Sequence, residues 1–259
     1  MRTYPFRLGT TSYIIPDDIL PNARYLAGRI RDIELILFEV DDGPNNLPSP
    51  EMIEELSQIA RQHDMTYTVH LPLDLKLGED GSKRDQSLVK AKRVIDCTRA
   101  LDPWAYVLHL DGKSVRTSTD TELIAHWQDQ SVRALTIVAV WAGDAAKLAV
   151  ENLETYPLNF IQPVLDRIPV SRCVDIGHLW LDGHDSIPYV RAALARTRVI
   201  HIHGIADRDH RSLAFMQLEK VRAVWDELIH AKYEGVVTLE IFSKEDFLSS
   251  MEVIEKLSS

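Results

Sequence analysis

The chain has 259 residues, of which 45% are hydrophobic, and 39 acidic against 29 basic residues give a formal net charge of −10. This length suits one α/β barrel, so we expect a single domain over residues 1–259. The acidic balance argues against a nucleic-acid partner, which usually requires a basic face. Because no apolar segment resembles a signal peptide or reaches membrane-spanning length, we expect a cytoplasmic protein with no membrane partner.

Eight short apolar runs alternate along the chain with stretches of helical periodicity. Such runs are typical of buried parallel strands. Eight units in this length give about 32 residues per unit, the period of a (β/α)8 barrel. We therefore predict an α/β fold, a single (β/α)8 TIM barrel. The predicted strands are residues 6–12, 34–41, 66–72, 105–111, 147–152, 171–176, 198–203 and 236–242.

Two predicted helices have recognisable start signals. Ser49 precedes Pro50, which is the order of a capping residue and a first-turn proline. Thr119 and Glu122 have the three-residue spacing of a capping box. Helices are therefore predicted to begin directly after Ser49 and after Thr119.

Metal-ligand side chains end six of the eight apolar runs. The carboxyl ends of barrel strands meet at one mouth, where the active sites of this fold lie. Mixed imidazole and carboxylate ligands suit zinc or manganese, and six ligands suffice for two divalent ions that share a carboxylate. Glu151 is central in strand order and is the predicted bridge. From the third strand to the eighth, the predicted ligands are His70, His109, Glu151, Asp175, His203 and Glu240.

Further titratable residues lie close to these ligands in the sequence. His178 follows the aspartate of the sixth strand by three residues and is either a further ligand or a substrate contact. His201 alternates with His203, so both point to the same side of the strand, one layer apart. We assign the outer His203 as the ligand, and His201 either supports a ligand from behind or packs inside the barrel. Asp209 and His210 either extend the metal or water-positioning set or belong to a polar loop.

Residues after the predicted strands are candidates for substrate contacts, because βα loops line the active face of a barrel. The charged loop at residues 74–85 is either a mobile lid for an anionic substrate or a solvated connection. The remaining candidates also have structural explanations, such as ion pairs, turns or loop anchors. The candidates are Glu39, Lys83, Arg84, Trp180, Arg208 and Arg211.

The ligand set favours hydrolysis of a phosphodiester. Two metal ions can activate a water and stabilise the departing oxygen of a displacement at phosphorus. Glu151, Glu240 and His178 are the candidate catalytic groups. A sugar isomerase or ketose 3-epimerase is the alternative, because one ion flanked by two glutamates would suffice for it. An abasic-site endonuclease is a further alternative, against which the acidic balance counts.

The ligand series resembles the xylose-isomerase-like barrel superfamily, particularly its endonuclease IV-type apurinic endonucleases and its ketose epimerases. The resemblance assigns the histidines of the third and fourth strands to an additional site found in hydrolytic members. In endonuclease IV-like proteins the position of His178 and an Asp-x-His segment hold a third zinc, where this chain has Asp209-His210. The four-ligand site that the resemblance implies is Glu151, Asp175, His203 and Glu240.

Two segments are similar to the cobamide-remodelling phosphodiesterases, namely the run LGTTSYIIP at residues 8–16 and DHRSL at residues 209–213. This resemblance implies an enzyme that cleaves the nucleotide-loop phosphodiester of adenosylated cobamides. The implied products are cobinamide phosphate and an α-riboside of the lower-ligand base. The implied partner is therefore a small-molecule corrinoid substrate.

Overall fold

The computed structural model describes residues 4–38 and 45–257. Strands and helices alternate through these residues. The strands are β1 Arg7–Thr11, β2 Asp32–Ile36, β3 Thr66–His70, β4 Tyr106–Leu108, β5 Leu148–Glu151, β6 Ser171–Asp175, β7 Thr197–Ile202 and β8 Val236–Leu239. The helices are α1 Ile19–Leu26, α2 Pro50–His63, α3 Gln86–Thr98, α4 Thr121–Ala142, α5 Gln162–Leu165, α6 Ile176–Leu181, α7 Ser186–Ala193, α8 Leu218–His230 and α9 Lys244–Leu257.

The eight strands form a closed parallel barrel. Each strand pairs with the next one in the chain, and β8 pairs with β1 to complete the ring. The predicted (β/α)8 barrel is therefore confirmed, with a strand at each predicted position. β2 begins at Asp32, two residues before the predicted start, because Asp32 continues the ladder between Gly9 and Thr66 although it is charged. Hydrophobic periodicity does not register a buried aspartate as part of a strand.

The hydrophobic core lies between the barrel wall and the surrounding helices. Helix α8 shows the arrangement, since Val221, Trp225 and Leu228 are all fully buried at helical spacing. The ring of Trp225 meets that of Phe6 edge-on, with 5.0 Å between centroids. None of the helices in the described residues has the length and hydropathy that a membrane crossing requires.

The predicted helix starts are confirmed in one case and displaced in the other. Ser49 Oγ accepts a hydrogen bond from the backbone N–H of Met52 at 3.2 Å, as predicted for the start of α2. At α4 the cap is Asp120 rather than Thr119, because the Asp120 carboxylate accepts from the N–H groups of both Glu122 and Leu123. A carboxylate that accepts two of the free helix donors is the stronger cap.

A layer of polar side chains fills part of the barrel interior. Asp32, Glu34, Thr68 and Thr238 are fully buried on the inner side of their strands. Thr66 Oγ1 donates to Asp32 at 2.6 Å, but burial dominates and raises the pKa of Asp32 from 3.8 to about 7. A buried carboxyl with a raised pKa retains its proton more tightly in the folded chain than in the unfolded chain.

Asp32 is expected to make the folded state less stable as the pH rises from about 4 to about 7, because only the folded chain still binds this proton there. One such proton changes the free energy of unfolding by about 1.4 kcal/mol per pH unit. Asp32→Asn should remove this loss, so the difference in stability between variant and wild type should shift in the variant's favour between pH 5 and pH 8. Urea unfolding at the two pH values measures it. A difference that does not change with pH would contradict the raised pKa.

Candidate metal centre

The predicted ligands gather at the carboxyl mouth of the barrel. His70, Glu151 and Asp175 are the last residues of β3, β5 and β6. His109 follows β4 directly, and Glu240 follows β8 directly. Because all eight strands are parallel, these positions come together at one end of the ring. The structure therefore brings the strand-end residues into one site, as the alternation of strands and helices predicts.

Four of these side chains form a buried cluster, which we call the four-residue group. It consists of Glu151, Asp175, His201 and Glu240, each offering one ligand atom, with all four atoms within 4.8 Å of one another. His201 Nδ1 lies 3.1 Å from Glu240 Oε2, 3.5 Å from Glu151 Oε2 and 3.9 Å from Asp175 Oδ2. Three carboxylates and an imidazole are a suitable donor set for zinc or manganese.

The histidine of this group is His201, whereas the predicted ligand His203 lies in a different cluster, so its role as a ligand stays a prediction. Both side chains point to the same side of the chain at β7, as their spacing predicts, but they occupy different layers. The inner His201 is level with the carboxylates, whereas the outer His203 lies above them with Nε2 3.5 Å from Asp175 Oδ1. The neighbouring strands end so that their acidic residues meet the inner layer. How far each strand extends toward the mouth depends on the stagger between neighbouring strands. The residue pattern of a single strand does not show this stagger.

A second cluster, the histidine-pair group, shares Glu151 with the first. His109 Nε2 lies 3.2 Å and His70 Nε2 3.5 Å from Glu151 Oε2. The two rings meet edge-on with 5.0 Å between their centroids. Asp74 lies on the far side of His109, with Oδ1 3.2 Å from Nδ1, and so orients its ring. Glu151 therefore occupies the position between two groups that a bridging carboxylate requires.

A third cluster, the three-histidine group, consists of His178, His203 and His210. The rings of His203 and His210 stack with 4.3 Å between centroids, and the backbone N–H of His210 donates to His203 Nδ1 at 3.0 Å. His210 has a backbone φ of 53°, a strained conformation for a residue with a side chain. Asp209 Oδ1 lies 3.1 Å from His210 Nδ1, so this carboxylate orients His210.

The segment from Asp175 to His178 positions two of the three clusters. Asn152 holds the backbone of Asp175 with hydrogen bonds to both its N–H and its carbonyl, at 2.9 and 3.0 Å. Asp175 Oδ1 then caps α6 by accepting from the N–H of His178 at 2.7 Å. Gly177 is necessary here, because a Cβ at this position would lie 2.2 Å from the ring of His203. The sequence Asp-Ile-Gly-His thus combines three features within one helical turn. Its aspartate belongs to the four-residue group and caps α6, and its glycine leaves room for the ring of His203.

The buried ligand atoms are suited to a cation. Among the described residues, Asp175 Oδ2, His201 Nδ1, His203 Nε2 and Glu240 Oε2 are buried without a hydrogen-bond partner. Leaving such atoms unpaired is costly, because each has lost its water on folding. A divalent ion in the four-residue group would satisfy three of them at once. The residues present therefore fit a metal ion.

A model of the xylose isomerase-like TIM barrel family matches residues 30–257, which is most of the chain. The chain belongs to this family. A search of curated proteins gave no match.

Solved structures of similar fold cover almost the whole chain. A D-tagatose 3-epimerase-like protein has a TM-score of 0.72 at 16% identity, covering 98% of this chain and 97% of its own. The 3-keto-D-glucoside 4-epimerase of E. coli has a TM-score of 0.68 at 13% identity, with 98% and 99% covered. The D-allulose 3-epimerase of Methylomonas sp. has a TM-score of 0.65 at 14% identity, with 99% and 97% covered. At these identities the similarity establishes the fold.

Attraction between the carboxylates and the histidines dominates the electrostatics of this site. Burial opposes protonation of His109, but the Glu151 and Asp74 carboxylates outweigh it and raise the pKa of His109 to about 10. Burial likewise opposes protonation of His210, yet Glu240 and Asp209 raise its pKa to about 9. Against its own burial, the pKa of Glu151 is held well below its ordinary value by His201 and His109. Since a histidine must lose its proton to bind a metal, cations and protons compete here.

An open cleft at the barrel mouth is lined by residues that include Asp74, Glu151 and His210, and none of the predicted substrate contacts in the described residues, apart from His178, lines it. Trp180 is buried, and its Nε1 donates to Ser186 Oγ at 3.2 Å. Arg211 is already held by Asp207 at 2.8 Å and by Asp246 at 3.3 Å.

The remaining predicted contacts stay predictions. Lys83 and Arg84 are exposed in the loop after β3, and Arg208 is exposed after β7. Glu39 lies outside the described residues.

Two cations that sequence reasoning missed line the cleft, Lys113 and Arg116 in the loop after β4. Lys113 Nζ lies 3.3 Å from Asp74 Oδ2. Arg116 Nη1 donates to Thr155 Oγ1 at 2.6 Å, and its guanidinium lies 5.2 Å from the centre of the Tyr156 ring. Loops that follow barrel strands line the active face, and the loop after β4 is one of them. The sequence did not draw attention to it because it has fewer charged residues than the loop at residues 74–85.

An apolar pocket adjoins the metal centre beside Glu151 and His178. Its walls come from the segments that follow β4, β5 and β6. The Tyr156 Oη in this wall is buried without a hydrogen-bond partner among the described residues. The free space inside it is small, about that of one water molecule. The apolar and aromatic side chains that line it are Leu110, Leu153, Tyr156, Leu158, Phe160, Ile161 and Leu179.

His201→Ala should weaken zinc binding at the four-residue group more than tenfold, about 1.4 kcal/mol, because it removes one of that group's ligands. His203→Ala should leave that site within roughly threefold of wild type, about 0.7 kcal/mol. Chelator-competition titrations with zinc measure both affinities. His126→Ala, at an exposed position on α4, is the control. Equal losses from the two substitutions would contradict the division of histidines between layers.

Proposed function

We propose that the chain is a metal-dependent phosphodiesterase. The observation that supports the proposal is the sharing of Glu151 between the four-residue group and the histidine-pair group. A single-ion sugar epimerase has no evident need for His70 and His109 at 3.2–3.5 Å from this carboxylate. Two adjoining ligand groups are what an in-line displacement at phosphorus uses.

The residues that would hold two divalent ions are those of the four-residue and histidine-pair groups. Ions bound there supply an activated water and charge stabilisation for the leaving oxygen. Asp74 fixes the ring of His109, and Glu240 lies within 3.4 Å of His210 Nε2, which keeps this imidazole at the open side of the site. Lys113 and Arg116 provide positive charge in the cleft for a phosphate group, which the acidic ligands alone would repel.

For the substrate we propose the nucleotide-loop phosphodiester of a cobamide. Water adds across the phosphodiester, the bond from phosphorus to the riboside oxygen breaks, and the products are cobinamide phosphate and an α-riboside. The resemblance of residues 8–16 and 209–213 to cobamide-remodelling phosphodiesterases supports this choice.

A ketose 3-epimerase is the second candidate, and the comparisons favour it over a phosphodiesterase. The similar solved structures named above are epimerases or an epimerase-like protein, and they cover the chain almost completely. The four-residue group would serve such an enzyme with one ion and with Glu151 and Glu240 as acid and base. An abasic-site endonuclease remains a third candidate, against which the net charge of −10 counts.

A substrate panel separates these functions. The protein, loaded with zinc or with manganese, is incubated with adenosylcobalamin, a simple phosphodiester, an abasic oligonucleotide and free ketoses, and products are identified by mass spectrometry. Epimers have equal mass, so ketose turnover is followed by deuterium uptake from heavy water. We expect the cobamide to be cleaved at its phosphodiester, with loss of cleavage on chelation. An intact cobamide beside deuterium uptake into a ketose would replace the proposal with the epimerase.

The double variant His70→Ala with His109→Ala tests the reaction class directly. Phosphodiester cleavage should fall on the order of 100-fold or more, because one ligand group is lost while the other is intact. An epimerase that uses only the four-residue group would retain most of its activity. The control is again His126→Ala, and metal per chain is measured by elemental analysis. Full phosphodiesterase activity with one ion bound would exclude the two-metal arrangement.

Glu151→Gln should lower turnover on the order of 100-fold or more while the chain remains folded, since the amide is a poor bridge between two ions. The isosteric side chain keeps the packing of this buried position. Initial rates under saturating substrate, with circular dichroism as a check on folding, measure the effect. Near-normal turnover would show that Glu151 does not bridge.

A further inference from the structure

Glu34 on β2 makes a contact across the interior of the barrel. Its Oε2 lies 2.8 Å from Nε2 of His201, and both side chains are fully buried. β2 pairs with β1 and β3, whereas β7 pairs with β6 and β8, so the contact spans the barrel rather than joining neighbouring strands. Glu34 lies outside the three ligand clusters and has no place in the chemistry proposed above.

The two nitrogens of His201 face different partners. Nε2 meets Glu34, while Nδ1 points into the four-residue group, 3.1 Å from Glu240 Oε2 and 3.5 Å from Glu151 Oε2. A neutral imidazole carries one proton, and a carboxylate can only accept it. When a metal ion takes the place of the second proton of His201, the acceptor oxygen of Glu34 holds the remaining proton on Nε2, and the lone pair of Nδ1 faces the four-residue group.

We propose that Glu34 is a positioning residue that fixes the tautomer and the ring orientation of His201, so that Nδ1 is a metal ligand. A carboxylate behind a ligating histidine typically raises metal affinity roughly tenfold to a hundredfold. The inference rests on the metal binding assumed in the proposed function but not on the reaction class. It is independent of which substrate the cleft accepts.

Asp32 provides a matched control within the same strand. It lies two residues before Glu34, on the same side of β2, and is equally buried. Its carboxylate is paired with Thr66 Oγ1 instead of a histidine. Glu34→Gln and Asp32→Asn therefore each remove one buried carboxylate from the same wall, and only the first touches a ligand.

Zinc affinity, measured by chelator competition without substrate, is expected to fall roughly tenfold to a hundredfold in Glu34→Gln. In Asp32→Asn it should stay within about threefold of wild type. In a His201→Ala background, Glu34→Gln should cause no further loss, because its effect acts through His201. A loss that persists without His201, or equal losses in the two isosteric variants, would overturn the proposal.

A spectroscopic measurement tests the wild-type chain directly and does not depend on whether a variant at position 34 folds. In ¹⁵N–¹H spectra of the zinc-loaded protein, the His201 signals, identified by their loss in His201→Ala, should show a proton on Nε2 and metal on Nδ1. A proton on Nδ1 would overturn the proposal, as would a wild-type chain that binds no zinc. If zinc binds and Glu34 has the expected effect while no phosphodiester is cleaved, only the proposed reaction fails.

Discussion

One carboxylate oxygen, Oε2 of Glu151, lies within 3.5 Å of nitrogens from three histidines, which are on β3, directly after β4 and on β7. Ionising a side chain with almost no solvent contact is costly, and it is sustained only where opposite charge surrounds it. His109 and His201 provide that charge, and bound cations would provide it in their place. The positions of β3, β4 and β7 relative to β5 are thus coupled to one buried charge at the barrel mouth.

The sequence predicted the barrel and the strand-end residues that gather at its mouth well, because both depend on local pattern. Apolar runs ending in His, Asp or Glu mark the parallel strands and their carboxyl ends without any tertiary information. The layer within the barrel could not be predicted in this way. His201 and His203 are equivalent by alternation, and only the stagger of neighbouring strands decides which of them meets Glu240. The same limit applies to Glu34, whose partner is 167 residues away.

The number of charged residues in a loop was a poorer guide to which residues line the cleft than the position of the loop after a strand. The densely charged loop after β3 drew attention to Lys83 and Arg84, while Lys113 and Arg116 line the cleft. Arg211 is a predicted substrate contact, but in the structure it forms ion pairs with Asp207 and Asp246 and so secures the loop after β7. A cation's partners depend on tertiary contacts with distant acidic residues, and sequence spacing does not specify them.

The two oxygens of Asp175 have different partners, and this has a thermodynamic consequence. Oδ1 holds the first turn of α6, and Oδ2 faces the four-residue group. A cation that draws the carboxylate into a fixed orientation also secures the helix start, and by linkage an ordered helix favours the cation. Leu179 on α6 is part of the apolar pocket wall. Asp175 is therefore the residue that connects the metal position to the helix that forms part of the pocket wall.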